Sequence, residues 1–332
     1  MLVSCGLKKT VVLFSILTAA AQQPPLIRVP VRIVEVPAVA TLKNGSSVRG
    51  LRAEDFRLLD NDRAQKVQLV ESDQPLSLAI VVQTNRDVRA WLPEVRQSKS
   101  VIEASIVGAN GQASLTTCSD EVTVVQEMTS NAAALDSAFR SLKASGGERR
   151  CLDGIASAIG QLETAAPERR RVILLISQSS DAGSKANLAD LLNKTETDNI
   201  TVYQLVMPTA GSDFIHESFA LGKIHDAANG NGTGVEGTIE LTKVIPEILR
   251  GAKTAAGQNA LVILTSELGG IRLPFRKQKG LEAGMATIAT ELHTGYVLSF
   301  TPDHSDEGYH LLHVEALRRD VTVRARPGYY VH

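Results

Sequence analysis

Hydrophobic and polar positions alternate in both end segments of the chain, whereas the middle carries long apolar runs. Residues 22–73 show the period-2 pattern of strands with one buried face, and 55–59 and 66–70 predict a hairpin around an Asn-Asp turn. Residues 296–332 return to the same alternation. We therefore expect an N-terminal β segment and a C-terminal β hairpin that packs with it.

The middle of the chain, residues 74–295, contains two kinds of apolar pattern. Continuous apolar runs at 78–82, 172–176 and 200–206 predict strands buried on both faces of a sheet. Apolar residues also recur at helical spacing, in stripes that begin at Leu135, Leu152, Leu188 and Leu281. Strands that alternate with helices indicate βαβ units, so we predict an α/β fold with a doubly wound, mostly parallel sheet, flanked by the small β unit from the chain ends.

Two parts of the middle region do not follow this pattern. Residues 211–257 are Gly-rich and less periodic, which predicts an insertion or a long loop. Within them, Gly232–Gly237 fits the Gly-x-Gly-x-x-Gly pattern of dinucleotide-binding loops, but no predicted buried strand leads into it, so we expect no nucleotide. Residues 261–268 fit a helix and a strand equally well.

The first 21 residues have the features of a signal peptide. Lys8 and Lys9 precede an uncharged run over residues 10–21, which is too short to cross about 30 Å of hydrocarbon as a mature helix. Three alanines end the run, as in a cleavage site. We therefore expect an exported chain, periplasmic or extracellular, with no membrane span after cleavage; an uncleaved anchor is the alternative. Cleavage removes Cys5 and leaves Cys118 and Cys151, and the sequence leaves open whether these two thiols pair.

Composition excludes several classes of partner. The chain has 35 basic and 36 acidic residues, a net charge of -1, and thus no field that would attract nucleic acid. Aromatic residues make up only 4%, which is poor material for stacking bases. We expect neither nucleic acid nor any cofactor.

Few residues are candidates for catalysis. His310 and His313 lie in an alternating strand, where their side chains point to opposite faces, and we interpret both as surface histidines. The serines of the loop Ser177–Asp181 follow a predicted strand, but the chain has no Gly-x-Ser-x-Gly elbow. We therefore expect no catalytic residues and no enzyme. A hydrolase or transferase that uses the Ser177–Asp181 loop is the alternative.

Three stretches together resemble the von Willebrand factor type A (VWA)-related proteins exported by acidobacteria and similar soil bacteria. The first is Val-Arg-Gly-Leu-Arg-Ala-Glu-Asp-Phe at 48–56, which is similar to that family's Gly-Leu-x-x-x-Asp-Phe pattern. The others are Gly-Tyr-Val-Leu-Ser-Phe-Thr-Pro at 295–302 and Val-Arg-Ala-Arg-Pro-Gly-Tyr at 323–329. The resemblance implies a VWA-like domain over 74–295, with loops at the carboxyl ends of the strands that normally hold a divalent cation.

The ligands of that cation are altered in this chain. The family has Asp-x-Ser-x-Ser after the first buried strand, where this sequence places Gln83, Asn85 and Asp87. Glu148 stands where the family has Thr in a second loop, and Gln178 stands where a third loop has Asp. Neutral amides are poor ligands for Mg²⁺, which is held by carboxylates in near-octahedral geometry.

Positive charge adds to the case against a metal. Arg86, Arg149 and Arg150 would each oppose a dication by about 1 kcal/mol at roughly 4 Å even in water. We therefore expect no metal in this altered metal-ion-dependent adhesion site. The alternative is a rewired metal-binding adhesion site formed by Asp87, Glu148, Asp153 and Asp181.

We interpret the chain as an interaction module that binds an unidentified protein partner through its loops without a metal. The predicted partner-binding residues are Gln83, Asn85, Arg86, Asp87, Glu148, Arg149, Arg150 and Gln178. The resemblance places Cys118 and Cys151 near the same loops, where a disulfide would hold a loop that no metal fixes. A structural envelope protein that binds nothing specific is a third possibility.

Overall fold

The computed structural model describes residues 33–70, 74–98, 101–166, 168–208, 260–304 and 306–331. The predicted signal peptide at 1–21 lies outside the described residues, as do the Gly-rich segment 211–257 and its Gly232–Gly237 motif. In the part of the chain that is described, no helix has the length and apolar character needed to cross a membrane.

The described residues contain strands from one end to the other, with helices confined to the middle. The strands are β1 (Val34–Leu42), β2 (Phe56–Asp60), β3 (Arg63–Gln65), β4 (Gln68–Val70), β5 (Leu76–Gln83), β6 (Gln112–Cys118), β7 (Val122–Thr129), β8 (Arg170–Ser177), β9 (Thr201–Val206), β10 (Arg272–Pro274), β11 (Tyr296–Phe300), β12 (Gly308–Ala316), β13 (Val321–Ala325) and β14 (Gly328–Val331). The helices are α1 (Leu92–Gln97), α2 (Ala132–Ser141), α3 (Cys151–Glu163), α4 (Leu188–Thr197), α5 (Ala260–Glu267) and α6 (Gln278–Thr294), with a π-helical segment at Ile102–Val107.

The central sheet has six strands in the order β10-β9-β8-β5-β6-β7. Neighbouring strands run parallel except β7, which pairs antiparallel with β6 at one edge. The apolar runs at 78–82, 172–176 and 200–206 become β5, β8 and β9, next to one another in the sheet. The predicted doubly wound, mostly parallel α/β sheet is confirmed.

Both faces of the central sheet are buried because successive side chains of each strand enter different cores. Every residue of β5 is buried: Ile80 packs with α1, α2, α6 and the π-helical segment, whereas Val81 packs with α3, α4 and α5. The apolar stripes of α3 and α6 face these two cores, through residues such as Ile155 and Ile288. A strand between two helical layers has no solvent face, which explains its continuous apolar sequence.

The two ends of the described chain form two four-stranded antiparallel sheets. Their strand orders are β13-β1-β11-β4 and β14-β12-β2-β3. Each sheet therefore combines strands from both sides of the α/β region, and together they enclose a third core that includes Val36, Leu58, Leu298 and Phe300. This is the small β unit expected from the alternating end segments. The predicted C-terminal hairpin is wrong, however, because β12 pairs with β14 and β2, whereas β13 pairs with β1 in the other sheet.

The predicted hairpin between 55–59 and 66–70 is wrong in its second strand. Asn61 and Asp62 adopt positive φ angles of 46° and 65°, and the tight turn pairs Asp60 with Arg63. A two-residue turn of this kind brings the next residues into register at once, so β3 becomes the partner of β2. Residues 68–70 instead form β4, which pairs with β11 in the other sheet.

The ambiguous segment 261–268 is helical, in α5, and every residue of that helix except Ser266 is buried. A helix buried on nearly all sides has no polar face, so its sequence lacks the 3.6-residue period. One of these buried residues, Glu267, has an ionisable side chain. Its carboxyl group accepts a hydrogen bond from the Tyr309 hydroxyl at 2.6 Å. Burial raises the pKa of Glu267 from 4.5 to about 8, so its carboxyl group is protonated at neutral pH.

This shifted pKa makes stability depend on pH in a defined direction. Because the folded chain keeps the Glu267 proton that the unfolded chain loses, the free energy of unfolding should fall as pH rises from 4.5 to about 8. The slope due to this group is at most about 1.4 kcal/mol per pH unit. Urea unfolding across this range should show a smaller slope in Glu267→Gln than in the wild type. The exposed Glu307→Gln control should keep the wild-type slope, and equal slopes in all three proteins would contradict the prediction.

Candidate functional site

Loops meet at the carboxyl ends of the parallel strands, and we call this surface the loop edge: residues 83–87, 118–121, 145–153 and 177–187. Backbone hydrogen bonds connect them. Thr84 donates to the carbonyl of Cys118 at 2.9 Å, and Ser145 donates to that of Thr84 at 2.7 Å. Parallel strands bring their following loops to one side of a sheet, which is why residues distant in sequence meet here.

Three neutral amides hold one another beneath the loop edge. Gln83 Nε2 donates to Asn85 Oδ1 at 2.8 Å and to Gln178 Oε1 at 2.9 Å. The backbone N–H of Gln178 donates back to Gln83 Oε1 at 2.7 Å. Asn85 Nδ2 in turn donates to Asp87 Oδ2 at 3.1 Å and to the carbonyl of Gly147 at 3.2 Å. We call this set of hydrogen bonds the amide network.

The amide network does not fit a divalent cation. Magnesium and calcium need several oxygen ligands, with carboxylates to offset their charge. Here Gln83 and Asn85 direct N–H groups at the oxygens of the cluster, and the oxygens of Gln83, Asn85 and Gln178 already accept hydrogen bonds. A cation would have to face amide donors in a buried setting, where unmatched charge is costly.

The carboxylates of the alternative, rewired site are largely engaged elsewhere. Asp153 Oδ1 accepts two backbone N–H groups of the loop after β8, at 2.7 and 2.9 Å, and its Oδ2 lies 2.6 Å from Arg150. Asp181 Oδ1 accepts from the backbone N–H of Leu152 at 2.9 Å and from Ser184 Oγ at 2.8 Å. Burial raises the pKa of Asp181. These two groups fix the start of α3 to the neighbouring loop.

Asp120 is a member of the loop edge that the sequence analysis missed. Its Oδ1 accepts from the backbone N–H groups of Glu148 at 2.7 Å and Gly147 at 2.8 Å. These hydrogen bonds, with a further contribution from the charges of Arg86 and Arg150, lower the pKa of Asp120. The usable signal was a Ser-Asp pair directly after a strand, since Asp readily accepts backbone N–H groups in turns.

Three of the eight predicted partner-binding residues are not available for contact. Gln83 and Asn85 are 0% exposed and Gln178 is 1% exposed, because all three belong to the amide network. Their predicted role as partner contacts is therefore corrected: they support the surface from below. The resemblance placed them correctly at the strand ends but could not show that they face one another.

The other five predicted residues are accessible to different degrees. Arg86, Asp87 and Glu148 are exposed, whereas Arg149 and Arg150 are partly exposed. Arg150 is held in place by its ion pair with the helix start and by a 2.7 Å hydrogen bond to the backbone carbonyl of residue 120. Within the described part of the chain, the side chains of Arg86 and Arg149 form no hydrogen bond or ion pair. These two arginines therefore lie on the loop edge beside charged groups that are held by hydrogen bonds.

A disulfide between Cys118 and Cys151 lies under the same surface. Their Cα atoms are 5.3 Å apart, and both residues are fully buried. Cys118 is the last residue of β6 and Cys151 the first of α3, so the bond fastens the end of a strand to the start of the helix that carries Asp153. The loop edge is therefore anchored by covalent and hydrogen bonds together.

A second polar cluster lies outside the loop edge, in the antiparallel sheet. The interpretation of His310 as a surface residue is wrong, since it is 1% exposed and its Nδ1 lies 2.8 Å from Asp60 Oδ1. The side chain of His313 is 49% exposed. Alternation along β12 does place His310 and His313 on opposite faces of the strand. The face of His310 is the buried one, where the carboxylate of Asp60 is its partner.

No protein-family model matches the sequence, and no curated protein matches it. Among solved structures, the chain is similar to the VWA domain of SpRpn10, with a TM-score of 0.36 and 16% identity over 43% of this chain and 79% of that one. It is similar to the vWF domain of the type V pili tip protein Mfa5 from Porphyromonas gingivalis, with a TM-score of 0.41 and 9% identity over 65% and 94% of the two chains.

A third similar structure is proximal thread matrix protein 1 from the mussel byssus. Its TM-score is 0.46 and its identity 12%, over 71% of this chain and 50% of the mussel protein. The doubly wound arrangement is given by the strand order of the central sheet itself, independently of these likenesses.

The disulfide can be tested by mass and by stability. Protein purified from an oxidising compartment should gain about 2 Da on reduction. Replacing both cysteines by alanine should lower the free energy of unfolding by about 3 kcal/mol, because the bond closes a loop of 33 residues in the unfolded chain. Reduced wild-type protein is the control and should match the double variant in a urea titration. An unchanged mass on reduction would show that the two thiols do not pair.

Proposed function

We propose that this chain is an exported, VWA-like interaction module that binds a protein partner through the exposed charges of the loop edge, without a metal. The amide network carries this proposal. In a metal-dependent edge, a cation joins the loops and bridges to the partner; here the side chains of Gln83, Asn85 and Gln178 join the loops directly. Contacts with the partner are then formed by side chains of the loop edge, without a bridging metal ion.

The exposed part of the loop edge suits a polar contact. The side chains of Arg86 and Arg149 form no hydrogen bond or ion pair among the described residues, although the charge of Arg86 acts on Asp120. Arg side chains form strong bidentate hydrogen bonds with carboxylates. Asp87 and Glu148 offer acceptors beside them. The amide network already holds the loop backbone that carries these side chains. Few loop atoms therefore become ordered when a partner binds, which lowers the entropic cost of association. An acidic patch on the partner is the matching surface.

The alternative of a hydrolase that uses the Ser177–Asp181 loop is less well supported. Ser177 is 0% exposed; its Oγ donates to the carbonyl of Gln178 at 2.8 Å and accepts from Gln204 Nε2 at 2.9 Å. A nucleophilic serine needs a general base within hydrogen-bond reach and access to substrate. The hydroxyl of Ser177 instead closes a buried hydrogen-bond chain, so we propose a non-enzymatic role.

Charge reversal at the loop edge tests the partner-binding surface. Arg86→Glu combined with Arg149→Glu should reduce partner recovery at least about tenfold in crosslinking and pull-down from the native envelope fraction, because both reversals repel an acidic patch. Arg150 is left unchanged, since its ion pair holds the loop. Arg63→Glu, an exposed reversal in β3, is the matched control and should leave recovery unchanged. Undiminished recovery with the double variant, at unchanged thermal stability, would refute this surface.

The metal-free character of the loop edge has its own test. Calorimetric titration of the untagged chain with Mg²⁺, Mn²⁺ and Ca²⁺ should show no binding at micromolar concentrations, because the amide network offers no free carboxylate pair. The control is Gln83→Asp combined with Gln178→Asp, which supplies two carboxylates and should gain affinity for Mn²⁺. Micromolar binding by the wild type that is lost in Asp181→Asn would instead support the rewired site.

A further inference from the structure

Asp60, His304 and His310 bring three metal-ligating side chains together in the small β unit. Asp60 ends β2, His310 lies in β12, and His304 lies in the connection between β11 and β12. One ligand atom from each lies within 4.8 Å of the others. Asp60 is 0% exposed, and the side chains of His310 and His304 are 2% and 12% exposed. The cluster is thus almost entirely shielded from water.

Hydrogen bonding fixes the tautomer of His310. Its Nε2 lies 2.8 Å from the backbone carbonyl oxygen of Asp306, which can only accept, so Nε2 carries a proton. In a neutral imidazole the other nitrogen, Nδ1, then has a lone pair. That lone pair lies 2.8 Å from Asp60 Oδ1, an acceptor as well. The Tyr329 hydroxyl lies 3.2 Å from Nδ1 but donates to Asp60 Oδ2. The contact between Nδ1 and Asp60 Oδ1 therefore needs either a proton on one of the two groups or a metal ion between them.

The carboxylate of Asp60 is oriented by a separate donor. The hydroxyl of Tyr329 donates to Asp60 Oδ2 at 2.7 Å, which leaves Oδ1 directed at His310. Hydrogen bonds of this kind, to the non-ligating oxygen of a carboxylate and to the non-ligating nitrogen of a histidine, are typical partners of metal ligands in proteins. Both are formed here, one by Tyr329 and one by the carbonyl of Asp306.

His304 distinguishes a proton from a metal ion. Its Nδ1 is buried and has no hydrogen-bond partner among the described residues, while its ring lies 5.4 Å from that of His310. Buried polar atoms are rarely left unsatisfied. A proton shared by His310 and Asp60 would leave His304 Nδ1 without a hydrogen-bond partner. A metal ion that His304 ligates through Nδ1 would supply the missing interaction.

We propose that Asp60, His304 and His310 bind a dication of the zinc type. Two imidazoles and one carboxylate are a common zinc ligand set, with nitrogen and oxygen about 2.0–2.2 Å from the ion. Ligands at that radius in a tetrahedron are roughly 3.3 Å apart, so His310 and Asp60 need to separate by only about half an ångström. The partly exposed side of His304 leaves the fourth position to water. The ion would fasten the β11–β12 connection to β2, far in sequence from the loop edge.

Zinc and cobalt titration of the untagged mature chain tests the site. One equivalent of Zn²⁺ should bind at micromolar or lower concentration, and Co²⁺ should give the visible absorption bands of a low-symmetry site. His304→Gln should weaken Zn²⁺ binding at least about tenfold, since one of three protein ligands is lost. His313→Gln is the matched control, because this exposed histidine lies on β12 on the face opposite to His310; it should bind as the wild type does.

Two results would overturn the site. One is the absence of Zn²⁺ binding up to about 100 μM in folded wild-type protein, which would leave His310 and Asp60 as a hydrogen-bonded pair without a metal. The other is Zn²⁺ binding that His304→Gln does not weaken. His304 lies on a partly exposed connection, so its variant tests the site without removing the buried Asp60–His310 pair; circular dichroism of each variant verifies folding. The result does not depend on the function proposed for the loop edge.

Discussion

The hydrogen bonds between Gln83 and Gln178 join the ends of two adjacent parallel strands, β5 and β8, in the middle of the six-stranded sheet. Loops that follow parallel strands converge on one edge, and something must hold their polar groups together away from water. Carboxylates in that position would repel one another without a cation. Amides can donate and accept at once, so the cluster is closed by its own side chains. Closure of the loops therefore needs no charge at this point, and the exposed charges of Arg86, Asp87 and Glu148 lie around it.

The surroundings of the amide network make its geometry rigid. Gln204 in β9 is connected to the network by a hydrogen bond to Ser177. Asn85 connects the network to the backbone carbonyl of Gly147. Below, β5 lies between two apolar cores and has no exposed residue. A polar cluster that is satisfied throughout and set on a packed sheet has few alternative arrangements. The backbone and the buried amides of the loop edge are in this sense preformed.

The sequence predicted the α/β core well because its signals are local. The runs that became β5, β8 and β9 needed only their apolar continuity, and the helices only their stripes. Pairing between distant segments was harder to predict. The pattern of residues 66–70 predicted a hairpin strand, but β4 pairs with β11, and no local pattern specifies that partner. At the site, the resemblance located Gln83, Asn85 and Gln178, yet their burial depends on contacts across 95 residues. The buried state of His310 was missed for the same reason, since Asp60 lies 250 residues away.

The arrangement of β1 has a consequence for how the chain reaches its final form. This strand lies between β11 and β13, with Ala38 opposite both Tyr296 and Ala325. Contacts between such distant segments are slow to form, and here they need the chain to have been synthesised as far as residue 325. Pairing of β1 must therefore wait for β11 and β13, while the α/β region between them can form earlier. A truncation that removes β13 and the strand after it would leave one edge of β1 unpaired, even though every residue of the loop edge is retained.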